Sequence, residues 1–253
     1  MTTSGDERCW RTVEGEGPRV VLVHGTMDRS TSFSRVARHL AGFEVIRYDR
    51  RGYARSIHLG PPTGFDQQVA DLLDVVDGRP ALVVGHSYGG TIAAAAAQRH
   101  PDLIVGVVAY ESPMPWTDWW PRHSAGASAV AGASDPEDAA ERFMRRMLGD
   151  DRWQRLPPST RETRRREGPT LVAEMAQLRP PNPPAYDPAA ITVPVVAAHG
   201  TEGSEHHHRA AAVLAGEAPA GDLVVLDGVG HGVHLTHPQE LVRLVDRLAI
   251  SSG

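Results

Sequence analysis

A single cysteine, Cys9, in 253 residues excludes an internal disulfide and fits a reducing compartment. No apolar run is long enough to span a bilayer, and no apolar core preceded by positive charge stands near the N-terminus. A cytoplasmic protein is therefore expected. Positive charge is short as well: the net charge of −5 draws neither nucleic acid nor an anionic membrane surface, so neither is an expected partner. There is no internal repeat. What remains, at 41% hydrophobic and 23% charged, is the composition of a globular domain. The length suits one α/β domain carrying an insertion.

The densest information lies in Ala81-Leu82-Val83-Val84-Gly85-His86-Ser87-Tyr88-Gly89-Gly90. A short apolar run meets a small-residue turn, and the alanine-rich stretch after it has helical character. Gly85-x-Ser87-x-Gly89 at that turn has the spacing of a nucleophile elbow. A serine on a tight strand-to-helix turn projects its hydroxyl clear of the sheet, and glycine at both flanks lets neighbouring backbone pass closely. The helix that starts there aims its amide groups at negative charge forming beside Ser87.

Around this stretch the chain alternates strands and helices, which predicts a doubly wound, mostly parallel sheet of the α/β class. Arg19 to His24 is a continuous apolar run, as in a strand buried on both faces. Ser30 or Ser32 is expected to cap a helix reaching Leu40. Further strands are expected over Phe43–Tyr48, Leu103–Tyr110, Val193–His199 and Leu223–Leu226, and a helix over Asp66–Val76. From Pro115 to Pro188 no strand pattern appears. Tryptophans beside prolines lead into a small-residue linker (Ser124 to Ala133), a helix starting at Ser134, and a second helical stretch from Ser159 to Leu178. Residues 1–114 and 189–253 are thus expected to form the sheet domain, and 115–188 a helical cap inserted into it.

In an open parallel sheet, active residues collect where the carboxyl ends of strands meet loops. His24-Gly25-Thr26, Ser87, Glu111 and His231 each follow an expected strand directly. The same pieces carry a resemblance: His24-Gly25, Asp49-x-Arg51-Gly52-x-Ala54-x-Ser56, the elbow, and Gly230-His231-x-x-His234-x-x-x-Pro238 together resemble the α/β-hydrolases. That resemblance implies the α/β-hydrolase fold, a serine nucleophile at Ser87 and a histidine base at His231, with His234 as the competing histidine. In most relatives the acid that orients the base is an aspartate after the strand ending here at His199-Gly200, but this chain has Gly203 where that aspartate would stand. Glu111, after the strand that follows the elbow helix, is the expected acid. The segment there is similar to that of some haloalkane dehalogenases and zearalenone-type lactone hydrolases. Glu202 and Glu205 are the alternatives. A serine at the elbow excludes the dehalogenase and epoxide-hydrolase branches, which need aspartate there.

The oxyanion hole is expected from the backbone amides of Tyr88 and Thr26, with Met27 as the one-residue alternative. Pocket candidates are His24 and Met27 on the turn, and Trp116, Trp119, Trp120 and Met144 in the insertion. The tryptophans either line a cavity over Ser87 or form the insertion's own core. For Met144, beside Phe143 and Met147, the core reading is preferred, because an amphipathic helix must bury its face. His206-His207-His208 is not read as a metal site, since successive helical residues point in different directions. Neither metal nor organic cofactor is expected, and oligomeric state leaves no mark. The expected activity is hydrolysis of a small carboxylic ester or lactone through an acyl-enzyme. Carbon–carbon bond hydrolysis of a diketone, perhydrolysis, and a receptor of the same fold without turnover are the alternatives.

Overall fold

The computed structural model describes residues 7–251, so the first six residues of the expected 1–114 segment and the last two of 189–253 lie outside it. In chain order the elements are β1 (Arg11–Glu14), β2 (Arg19–Val23), α1 (Ser34–His39), β3 (Glu44–Tyr48), α2 (Phe65–Val76), β4 (Ala81–His86), α3 (Tyr88–Arg99) and β5 (Ile104–Tyr110). Five helices follow without a strand: α4 (Ala125–Ala131), α5 (Pro136–Leu148), α6 (Asp150–Arg155), α7 (Pro158–Arg166) and α8 (Gly168–Gln177). The chain then returns to the sheet through β6 (Val195–Gly200), α9 (Glu205–Glu217), β7 (Gly221–Leu226), α10 (Val233–Thr236) and α11 (Pro238–Ser251).

The sheet has the order β1-β3-β2-β4-β5-β6-β7, and all neighbours are parallel except the antiparallel edge pair β1–β3. Alternation along the strands divides their side chains between two cores. Val21, Val23, Val83, Val107, Ala109 and Ala197 pack under α2, α3 and α9. Val20, Leu22, Val84, Val108, Tyr110 and Ala198 pack under α1 and α11 on the other face. Both faces are covered, which is why the central strands read as unbroken apolar runs. Ala93 to Ala97 of α3 are fully buried, and side chains this small let the helix lie close against the sheet beside the elbow.

The helices between β5 and β6 have a core of their own, formed by Ala139, Ala140, Met144, Trp153 and Leu171 together with Met27 and Tyr53 from the sheet side. Two buried carboxylates fasten these helices down. Glu174 of α8 pairs with Arg50 and accepts hydrogen bonds from Thr26 Oγ1 at 2.7 Å, Tyr53 Oη at 2.8 Å and Gln68 at 3.1 Å. Glu167 accepts from Arg29 and from the Ala54 amide, both at 3.0 Å.

Three local expectations are corrected. The stretch 124–133 is not a linker but carries α4, whose Gly126 and Ala129 are buried against α5 and α8. Neither Ser30 nor Ser32 caps α1: a 3-10 turn over Ser30–Phe33 precedes it, the Ser30 amide donates to Asp49 at 2.8 Å, and the Ser32 hydroxyl donates to Asp28 at 2.8 Å. At α5 the cap is Asp135 rather than Ser134, accepting from the Asp138 amide at 2.8 Å, with Pro136 in the first turn.

Candidate active site

β4 and β5 run in register with His86 opposite Tyr110, so the next residues, Ser87 and Glu111, leave the sheet side by side. Both turn away through the left-handed region, with φ of 53° and 46°. Non-glycine residues seldom stay there unless their surroundings hold them. Here the ladder does so: the Ser87 amide donates to Tyr110 O and the Glu111 amide to Ala198 O, each at 2.8 Å. The elbow is as crowded as its glycines suggest. A Cβ at Gly85 would stand 2.4 Å from Gly90 Cα, and one at Gly89 would stand 2.2 Å from Val23 O.

His231 arrives on the turn between β7 and α10. Its Nδ1 donates to Glu111 Oε2 at 2.5 Å, a charge-assisted contact to a carboxylate with no exposed surface. The second Glu111 oxygen accepts the Gly200 amide at 3.2 Å. The glycine-flanked turn is pinned rather than free to swing: His86 Nε2 donates to His231 O at 2.7 Å, and Tyr110 Oη donates to Gly230 O at 2.9 Å. His234 is packed inward, stacked on Phe33 with its Nε2 3.2 Å from Asp28. Glu202 and Glu205 are exposed.

Ser87 and His231 open together on a cavity of about 380 Å³ that Thr26, Tyr88, Trp120 and Met147 also line. Tyr88 is the first residue of α3, so its N–H has no acceptor within the helix. Thr26 faces the cavity, whereas Met27 at φ 55° turns its side chain into the core of the inserted helices. Met27 therefore does not line the pocket. His24 does not either: it is fully buried, donating Nδ1–H to Gly25 O and accepting the Arg50 amide on Nε2 at 2.9 Å. Burial and the Arg50 charge lower its pKa to about 4. Trp116 packs edge-on against Tyr186, Trp119 lies under the Arg209 guanidinium, and Met144 belongs to the inserted helices' core. Among the pocket candidates, Trp120 alone lines the cavity.

Several lining residues went unnoticed in the sequence. Glu174 reaches the cavity from α8, and Arg146 and Arg179 stand in its wall. His206 and His207 also line it, while His208 stacks on His199. His207 lies nearly parallel to His231, with ring centroids 4.9 Å apart, and burial together with the neighbouring His231 pushes its pKa well below the usual imidazole range. The triple-histidine string was the available signal, but helix phase and packing decide which ring faces inward. Cys9 lies apart from the cavity, its thiol pushed up to about 12 by burial and then by Asp71.

A family model described as the alpha/beta hydrolase family matches residues 20–244, and the chain belongs to that family. The pimeloyl-[acyl-carrier protein] methyl ester esterase of Chromobacterium violaceum is 39% identical over 137 residues, which are 53% of this chain and 53% of that protein. The chain thus matches only about half the length of that relative. Among solved structures, the enol-lactonase from Burkholderia xenovorans LB400 superposes with a TM-score of 0.72 at 21% identity, covering 96% of each chain. A thermophilic esterase from Thermogutta terrifontis superposes with a TM-score of 0.74 at 18% identity, covering 96% of this chain and 93% of that one. At these identities the likeness is one of fold. Among the described residues no helix is long and apolar enough to cross a membrane.

Proposed function

We propose that this protein is a serine hydrolase acting on a small carboxylic ester or lactone through an acyl-enzyme. The observation that carries the reading is the 2.5 Å contact between His231 Nδ1 and Glu111, at a cavity that Ser87 and His231 share. In this reading Ser87 Oγ attacks the acyl carbon while Nε2 of His231 takes its proton, since a free serine hydroxyl is a weak nucleophile near neutral pH. Glu111 keeps the other ring proton on Nδ1, leaving Nε2 as the acceptor, and balances the imidazolium that forms. The amides of Tyr88 and Thr26 stabilise the oxyanion. Collapse expels the alcohol with the proton held on Nε2. Water, deprotonated by His231, then releases the acid and restores Ser87. Every proton moves among Ser87, His231, substrate and water, so the cycle needs no cofactor.

Segment 115–188 acts in this proposal as the cap that selects the substrate, with Trp120 and Met147 supplying apolar surface over Ser87. Labelling with a fluorophosphonate and hydrolysis of p-nitrophenyl acetate test the reading. The wild-type protein is expected to label and to turn over, Ser87→Ala not to label, and His231→Ala to label slowly. Labelling of Ser87→Ala at the wild-type rate would refute the assignment.

A further inference from the structure

Two histidines from different elements converge on one carboxylate oxygen. His207, in the first turn of α9, holds Nδ1 3.6 Å from Glu111 Oε2, the oxygen that His231 Nδ1 meets at 2.5 Å. One potential ligand atom from each of Glu111, His207 and His231 lies within 4.8 Å of the other two. The Nδ1 of His207 is buried and has no hydrogen-bond partner among the described residues. A buried nitrogen left unpaired is costly, and one 3.6 Å from a carboxylate oxygen is near enough to share a cation with it.

We propose that this cluster is an inhibitory zinc site, in which Zn²⁺ is held by Glu111 Oε2, His207 Nδ1 and His231 Nδ1, with a cavity water as fourth ligand. Two imidazoles, one carboxylate and a water form a familiar tetrahedral set for this ion. Bonds of about 2.0–2.1 Å place the ligand atoms of a tetrahedral zinc roughly 3.4 Å apart. The His207–Glu111 separation of 3.6 Å already suits that spacing, and the His231–Glu111 contact must open from 2.5 Å. The stacked rings, 14° from parallel, require His207 to turn about Cβ–Cγ so that its lone pair aims between them. Both rings line the cavity, which gives the ion a way in. Successive histidines on one helix cannot chelate together, but this set takes only one of them and draws its other ligands from the residue after β5 and the turn after β7.

The inhibition rests on the hydrolase reading above; the binding does not. Zinc displaces the proton from Nδ1 of His231, and the neutral ring takes one up on Nε2, so the charge on the ring is unchanged. Nε2 is the atom that must accept the Ser87 proton, and zinc leaves it protonated. The second such cluster, Asp28, His86 and His234, also lies within 4.8 Å, but none of its members lines the cavity and His86 Nε2 is spent on His231 O.

The test titrates the purified protein with zinc chloride by isothermal calorimetry, with p-nitrophenyl acetate hydrolysis followed in parallel. The wild-type protein is expected to bind one equivalent, to lose activity in step, and to regain it with EDTA. Loss of an outer-sphere partner alone weakens metal binding by about tenfold or more, so His207→Gln is expected to weaken zinc binding at least that much, with the half-inhibiting concentration rising likewise against the variant's own zinc-free rate. His206→Gln removes a cavity histidine outside the cluster and is expected to keep wild-type zinc affinity. Absence of binding by the wild-type protein, unchanged affinity in His207→Gln, or equal losses in both variants would each overturn the site. Zinc binding through His207 in a protein without esterase activity would refute the hydrolase reading and leave the metal site standing.

Discussion

A Cβ added to Gly203 would sit 2.2 Å from Glu111 Oε1, so the two positions compete for one space. In most α/β-hydrolases that resemble this chain, the acid stands where Gly203 is. Here a carboxylate reaches the same volume from the end of β5 and meets His231 from there.

Glu111→Gln is therefore expected to lower kcat for p-nitrophenyl ester hydrolysis by roughly ten-thousandfold, the scale set by an amide in place of the acid in a serine protease triad. Gly203→Asp alone is expected to lose activity by displacing Glu111. Combined with Glu111→Ala it should recover at least part of what Glu111→Ala loses. Near-normal turnover of Glu111→Gln would transfer the role to Glu202 or Glu205.

Glu174 is fully buried and ties the inserted helices to Arg50, itself almost without exposed surface. Removing one partner of such a pair strands a buried charge, so Glu174→Ala is expected to cost about 3–5 kcal/mol in urea unfolding. Replacing Glu240, which pairs with Arg243 on the surface, should cost no more than about 1 kcal/mol. Equal costs would mean that the Arg50–Glu174 pair does not anchor the helices.

Trp120 lines the cavity and Trp116 packs on Tyr186 instead. Trp120→Ala should change kcat/KM between short and long acyl esters by about 1–3 kcal/mol, the range for an apolar pocket contact. Trp116→Ala should leave that ratio unaltered. A selectivity change in the Trp116 variant, with none at Trp120, would place the substrate elsewhere.

His24 has its pKa lowered from 6.5 to about 4 by burial and the Arg50 charge. Between those values the unfolded chain binds a proton that the folded chain refuses, so stability falls as pH drops through that window and levels off below it. The contribution is about 3 kcal/mol. His86 and His207, also lowered, act in the same direction. Thermal unfolding of wild-type and His24→Asn from pH 7 to pH 4 isolates the term: the variant's pH dependence should be visibly flatter. Parallel curves would refute it.

How much could be read beforehand depended on the range of the interaction. The β4–elbow–α3 unit is local: valines, then glycines, then alanines, each suited to its own few residues, and the parallel sheet followed from repetition of that pattern. The stretch 124–133 misled because alanine, glycine and serine serve a linker and a packed helix alike, and α5 and α8 settle which. His24 and Met27 misled for a similar reason, since a place on the turn after a strand does not say which way the side chain faces.

By itself the sequence determined the alternation of buried strands and helices, the sharp bend at Ser87, and a glutamate and a histidine after their strands, because these depend on backbone preference and burial over a few residues. Only the tertiary structure decided that Glu111 and His231 meet, that Gly203 must stay small, and that His207 turns toward them while His24 is sealed in the core. Those outcomes depend on strand register and helix phase across more than a hundred residues of chain, and no local preference encodes them.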